Sequence, residues 1–302
     1  MATFDHNRNT LTRAQETAKK TAAARLSIFV AAFLILLKAG TGLLTGSISV
    51  WASLLDSTTD LFASIVNLIV VYAAARPADQ DHLYGHGKAE SLGSLFQSIA
   101  IAGSGIFLIT EAVHRLIGAR ETQSEGLGVL AMIVAIGVSL ALASHLKRVA
   151  RETESPAIKS DAAHYSIDVY TTGGALIALL ATAITNWHAA DPIISIIISI
   201  YILWSAVRVA RESIDVLMDR YLGIDVDESV ARIVKDFETQ GVRGFHELRT
   251  RRSGSQKFID LHLEVDRHRT FQEAHDLSVG VLREIEAEVP RSRVHIHTDP
   301  AD

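Results

Sequence analysis

The chain has 302 residues, 48% hydrophobic and 21% charged, with five prolines, 19 glycines and no cysteine. That apolar content excludes a disordered or collagenous chain, and the missing cysteines exclude disulfides, thiolate metal sites and cysteine nucleophiles. The formal charge of -5 hides an asymmetry: residues 212–302 carry 13 Lys and Arg against 19 Asp and Glu, which argues against nucleic acid as a partner.

Three methionines are too few for a soft-metal relay of the copper(I) kind. A mean hydropathy of +0.23 beside an ordinary charged fraction predicts lipid around one part of the chain and water around the rest.

Apolar stretches recur at about 22–44, 47–75, 91–117, 126–146, 162–186 and 191–210. A helix needs roughly 20 residues to cross about 30 Å of hydrocarbon, so six spans are predicted. The first begins too late for a cleavable signal peptide and runs into the second without an A-x-A site.

Basic residues set the orientation. Arg8, Arg13, Lys19, Lys20 and Arg25 precede span 1, and Arg76 and Lys88 lie between spans 2 and 3. Lys147, Arg148, Arg151 and Lys159 lie between spans 4 and 5, and Arg208, Arg211 and Arg220 follow span 6. The opposite loops, Thr45-Gly46-Ser47 and Asn186-Trp187-His188, have none, and Arg115 and Arg120 are the exceptions. The positive-inside rule puts both termini in the cytoplasm.

After Asp219-Arg220 the pattern changes. Asp225 to Gln240 has apolar residues at helical spacing behind an acidic first turn. Phe245–Thr250 and Phe258–Val265 alternate, joined at Ser253-Gly254-Ser255 as a hairpin. A second helix covers about Phe271 to Glu288, and a last strand Arg293 to Thr298. The order α-β-β-α-β predicts a small sandwich, three strands with both helices on one face.

Chemistry concentrates in three places. In span 2, Asp56 and Asp60 sit inside SVWASLLDSTTDLFASIVNLIVV. A carboxylate at mid-bilayer costs roughly 2.5–3.5 kcal/mol on insertion scales, so it must face a partner, a cavity or an ion. Spacing of i, i+4 stacks both on one helix face. Span 5 repeats the device with His164 and Asp168 in SDAAHYSIDVYTTGGAL. Two such pairs enclose one cation with one imidazole nitrogen and three carboxylate oxygens, a tetrahedral set suited to Zn²⁺. Interhelical hydrogen bonding alone is the plainer alternative.

The loop after span 2 reads RPADQDHLYGHGKAES, where Asp79, His82 and His86 could hold one cation and Asp81 is a spare carboxylate. Solubility alone also accounts for histidine there. The third place is the soluble part, with six of the chain's 13 histidines. His246 begins the first predicted strand, His262 lies in the second, His297 in the third with Asp299 behind it, and His275 on the second helix. His262 and His297 could share a sheet face, whereas His268 and His295 read as polar surface. Glu111 and His114 near the outer end of span 3 read as solvated, and His145 and Lys38 as snorkelling or facing loop water. Gly40, Gly42, Gly103, Gly105, Gly173 and Gly174 read as sites of close helix packing.

Taken together, LLDSTTD in span 2, DQDHLYGHGKAES, HYSID in span 5, and GFHELRTRRSG, FIDLHLEV and VHIHTDP near the C-terminus resemble the cation diffusion facilitator family, its bacterial zinc and ferrous-iron efflux branch. The resemblance implies a membrane all-α six-helix transmembrane bundle plus a small cytoplasmic α+β, metallochaperone-like domain. The segments are then 1–21 (cytoplasmic), 22–210 (membrane) and 211–302 (metal-binding regulatory).

The family's transport site maps onto Asp56, Asp60, His164 and Asp168, and its loop site onto Asp79, His82 and His86. A binuclear site at a dimer interface maps onto His246, His262, His275, His297 and Asp299. Lys88 and Asp219 match a pair that ties the protomers together. The implied protein is no enzyme. It is a homodimer in the bacterial inner membrane that exchanges a divalent cation for protons.

Imidazole favours Zn²⁺ over manganese, while Cd²⁺ fits the same ligands and Fe²⁺ is not excluded. Metal ligation requires neutral histidine and ionised carboxylate, so protons compete for the same atoms. An intramembrane metalloenzyme would need an open coordination position and a base, which four protein ligands do not leave. A sensor without transport would have no use for Asp56, Asp60 and Asp168 inside lipid.

Overall fold

The computed structural model describes residues 12–45, 48–117, 126–185 and 189–302, with the side chains of 44–53, 55, 56, 126, 127 and 183 not described. The side chain of Asp56, most of the loops at 45–47 and 186–188, Arg120 and the first 11 residues of the N-terminal segment therefore lie outside the described residues. The chain divides at Ile214/Asp215 into two compact units.

The first unit is helical: α1 (Arg13–Thr45), α2 (Ile48–Ala75), α3 (Ala89–Ile117), α4 (Gly126–Thr153), α5 (Pro156–Thr185) and α6 (Ala190–Leu217). Five of these are long and apolar enough to cross a membrane: Arg13–Leu43, Ser57–Ala75, Ala89–Ile117, Gly128–Thr153 and Ala190–Leu217. The remaining helix, α5, is 30 residues long and carries Lys159, Asp161, His164 and Asp168 in its first half. Several helices outrun the apolar windows: α4 continues to Thr153 and α5 starts at Pro156, because hydropathy marks lipid contact and not helix ends.

α1 packs on α2 and α4, and α5 on α3 and α4. Ala23, Ala24, Val71, Leu142, Leu146, Ile158 and Tyr165 form the shared core. Alanine brings helix backbones close where no hydrophobic force acts between apolar helices in lipid. The predicted close approach at glycine is found at two of the expected positions. A Cβ on Gly174 would lie 2.0 Å from Ile198 Cδ1, and one on Gly105 3.0 Å from Leu203. Gly40, Gly103 and Gly173 have nothing within 4 Å.

The second unit holds α7 (Ile224–Asp236), a 3₁₀ turn at Glu238–Gln240, β1 (Val242–Ser253), β2 (Gln256–Asp266), α8 (Phe271–Glu288) and β3 (Ser292–Ala301). The single helix expected over 225–240 is thus split at Phe237. β2 is the central strand, antiparallel to β1 and parallel to β3. The hairpin turns at Gly254, whose φ of +61° suits glycine. A capping box opens α8: Thr270 accepts from the Glu273 N–H and Glu273 accepts from the Thr270 N–H.

Both helices cover one sheet face. Ile259, Leu261, Leu263 and Val265 point into a core with Val230, Ile233, Val234, Val281 and Ile285. The alternate residues of β2, including His262 and Glu264, take the other face by the period of two. Between His246 and Arg249 a bulge inserts one extra residue, with Glu247 at φ +49°. Phe245 and Thr250, an odd number of residues apart, then both pair with core positions of β2, Leu263 and Ile259. Ile285 is fully buried, so Ile285→Ala is expected to cost this unit about 2–5 kcal/mol. Calorimetry of the full chain reads that as a lowered transition for the soluble unit.

Candidate metal centres

Within the helical unit, α2 and α5 bring Asp60, His164 and Asp168 together, with one ligand atom from each inside a 4.8 Å group. His164 Nε2 lies 3.0 Å from Asp60 Oδ1, and their side chains are 8% and 13% exposed. The i, i+4 step along α5 puts His164 and Asp168 on one face, as predicted. One ion bonded at about 2.0–2.2 Å to nitrogen and oxygen ligands fits such a group. Asp56 lies one turn before Asp60 on α2.

The surroundings of His164 were not legible in the sequence. Tyr165, fully buried, donates its hydroxyl to the Ser27 carbonyl at 3.0 Å and meets Ser64 Oγ at 3.0 Å. Asp161, three residues before His164, is 1% exposed and accepts from Ser27 Oγ at 2.6 Å. These bonds tie α1, α2 and α5 around the centre. Asp161 could have been singled out by the same argument from cost as Asp60. Tyr165 could not, since its partners are distant in sequence. Lys38 does not snorkel as expected: its ammonium donates to Ser57 Oγ at 2.6 Å. Glu111 and Asp191 both engage Arg115, at 2.9 and 3.2 Å, which gives a basic residue at the C-terminal end of α3 two carboxylate partners.

In the loop, Asp79, His82 and His86 form a second group within 4.8 Å. His82 Nδ1 and His86 Nε2 lie 3.4 and 3.3 Å from the Asp79 carboxylate. The His82 backbone N–H donates to Asp79 at 2.7 Å and holds that carboxyl below the usual range, with the N–H of Asp81 and the two imidazoles acting the same way against partial desolvation. Asp81 contributes its backbone N–H and stands outside the group. His86 Nε2 is the ring nitrogen that faces Asp79, and its Nδ1 is buried without a hydrogen-bond partner.

The soluble unit holds the third group, His246, His262 and Asp299. His262 and His246 pair across β1 and β2, and His262 and His297 across β2 and β3. Their side chains stand on the sheet face opposite the helices. His262 Nδ1, His246 Nε2 and His297 Nε2 reach Asp299 at 2.8, 3.2 and 3.2 Å. The His262 hydrogen bond, foremost, holds Asp299 below the usual carboxylate range, helped by the charges of His297, His262 and His246. Glu264, 4.0 Å from His246, is a nearby carboxylate that no motif singles out.

His275 does not join this group. It is on α8, exposed and 6.4 Å from the Phe271 ring, and the sheet separates it from the histidine face. His246 is also not at a strand start, since β1 begins at Val242. Asp219, at φ +57°, lies 3.6 Å from Arg251, and Lys88 sits in the turn before α3.

Residues 24–218 match the family described as the cation efflux transmembrane domain, and residues 225–301 the cytoplasmic domain of cation efflux proteins. The chain belongs to the cation efflux family. It is similar to the cation-efflux pump FieF of Klebsiella pneumoniae strain 342, 39% identical over 279 residues and covering 92% of each chain. FieF of Escherichia fergusonii is 40% identical over 278 residues, again with 92% of each chain covered. A solved structure of CzrB in its Zn form is 27% identical over 27% of this chain and 92% of its own, with a TM-score of 0.26. This cation efflux protein is therefore a multi-pass transporter and not an enzyme.

Proposed function

We propose that this cation efflux protein exports Zn²⁺ from the bacterial cytoplasm across the inner membrane in exchange for protons, as a homodimer with both termini cytoplasmic and six spans. The observation that carries the reading is the Asp60–His164–Asp168 group between two membrane helices, with Asp56 one turn away. An imidazole among carboxylates favours Zn²⁺ over Mn²⁺, and Cd²⁺ and Fe²⁺ compete for the same ligands. Because the ligands bind either protons or metal, loading releases protons and unloading takes them up. The substrate ion supplies only its charge. The chain supplies partly buried carboxylates around one buried imidazole.

Asp79, His82 and His86 hold a second ion at the loop. The cytoplasmic domain binds metal on its open sheet face through His246, His262, His297 and Asp299, and two protomers close over it. His275 enters that site only when a second copy presents it. Lys88 and Asp219 pair across protomers, in competition with the Arg251–Asp219 contact seen within one chain. Metal at the cytoplasmic domain biases the transporter by binding one arrangement of the dimer better than the other.

The test is zinc flux into proteoliposomes under an imposed pH gradient. Gradient-driven uptake by the unaltered chain, lost in Asp168→Ala, is the expected result. Uptake unaffected by Asp168→Ala would move the pathway elsewhere, and no uptake of Zn²⁺, Fe²⁺ or Mn²⁺ would leave the sensor reading.

A further inference from the structure

α3 buries a polar stripe. Glu90, Ser91, Ser94, Gln97 and Ser98 are all inside, followed by Ile101. Helix α5 answers it: Ser94 Oγ donates to Ser160 Oγ at 3.2 Å, and His164 lies one turn further along α5. From Ser155 to His164 the seam rises about 13 Å at 1.5 Å per residue. Two of its atoms, Ser91 Oγ and Gln97 Nε2, are buried without a hydrogen-bond partner. Apolar surface between lipid-embedded helices would avoid this cost, and a buried polar atom without a protein partner is one that a water or an ion in the seam would satisfy.

One end of the seam is shut by charge. Lys20 of α1 lies 2.9 Å from Glu90 of α3, with side chains only 10% and 4% exposed. Ser155, at the start of α5 and 1% exposed, donates to the other Glu90 oxygen and also accepts from the Ile158 N–H. Three helices thus meet on one carboxylate. The neighbouring Lys19–Glu152 pair is about two-fifths exposed and contributes little by comparison. A buried pair is a poor source of net stability, because desolvation offsets its attraction, yet breaking it is strongly unfavourable. Those properties suit a two-position latch better than a fastening.

We propose that the Lys20–Glu90–Ser155 cluster is a latch closing the α3–α5 seam, and that the seam is the cation's route to His164 and Asp60. The direction of travel rests on the orientation proposed above, in which this end faces the cytoplasm. When Lys20 withdraws, Glu90 presents an unneutralised carboxylate at the mouth of a hydrated seam, which attracts a divalent cation more strongly than the monovalent ammonium it replaces. Closure returns the ammonium and excludes water behind the ion. Neither Lys20 nor Glu90 belongs to any of the three ligand groups.

The chain has no cysteine, so a single Gln97→Cys reporter labels without background. Its modification by the impermeant cationic thiosulfonate MTSET is measured in everted and right-side-out membrane vesicles. Against the reporter alone, Lys20→Met and Glu90→Gln are each expected to raise the labelling rate in everted vesicles at least about tenfold. The exchange Lys20→Glu with Glu90→Lys is expected to restore slow labelling. Unchanged rates in both single variants would overturn the latch, as would fast labelling that the charge exchange does not restore. The assay needs no transport, so a failed zinc flux leaves it readable. A rise confined to right-side-out vesicles would support the latch while overturning the orientation.

Discussion

Zinc exchange by the His164→Ala protein is expected to fall at least about 100-fold, and what remains is expected to lose its dependence on pH. His164 is the one imidazole in the α2–α5 group, 3.0 Å from Asp60 and buried. Losing even a residue that only orients a metal ligand costs about 10–100-fold in affinity or activity. Losing the ligand leaves carboxylates alone, a set that suits harder ions. The same atom carries the coupling. Metal ligation needs the neutral imidazole, so a histidine ligand gives up its proton when the ion binds and regains one when the ion leaves. Asp168→Ala removes charge and should abolish flux, whereas His164→Ala should separate flux from pH. Proteoliposome flux at pH 6 to 8 distinguishes them. A wild-type rate with an unchanged profile in His164→Ala would sink the coupling.

The two i, i+4 pairs, Asp56 with Asp60 and His164 with Asp168, stand out in the sequence because ionisable groups in an apolar run are costly in lipid unless a cation or a partner faces them, and the run itself sets the helix. That Asp60 and His164 touch was not legible. It depends on how α2 and α5 pack, which rests on small residues and on bonds such as Tyr165 to Ser27 that join distant parts of the chain. Spans were visible and their ends were not, since α5 continues through Lys159 and Asp161 where hydropathy has already dropped.

In the cytoplasmic domain, β-alternation correctly set His262 beside His297. It also sets His275 apart from them within a single chain. Both helices cover the Ile259–Leu261–Leu263–Val265 face, so histidines between those positions must point away from α8. The bulge at Glu247 was beyond sequence reading. One extra residue sends His246 to the open face and Thr250 back to the core, and nothing in HELRT marks it.

Zinc retention by the cytoplasmic domain is expected to weaken about 100-fold in Asp299→Asn, with the pH of release nearly unchanged. Three imidazoles converge on this one carboxylate at 2.8–3.2 Å, so its loss removes an anionic ligand and the group that orients the others. The sign of the pH effect follows from Asp299 being held below the usual carboxylate range. Its charge is present at every pH above that range and disappears only as acid carries the solution through the lowered value. Release between pH 7 and 5 is therefore not the titration of Asp299, and asparagine leaves its midpoint in place. His262→Ala should instead both weaken retention and make release less steep, since one competing proton is gone. Chelator competition on the full chain, with Asp168→Ala and His86→Ala to silence the other two centres, measures both quantities. Retention indifferent to Asp299 would place the bound metal off this sheet face, and a release midpoint moved by asparagine would mean that the carboxylate itself titrates against the metal.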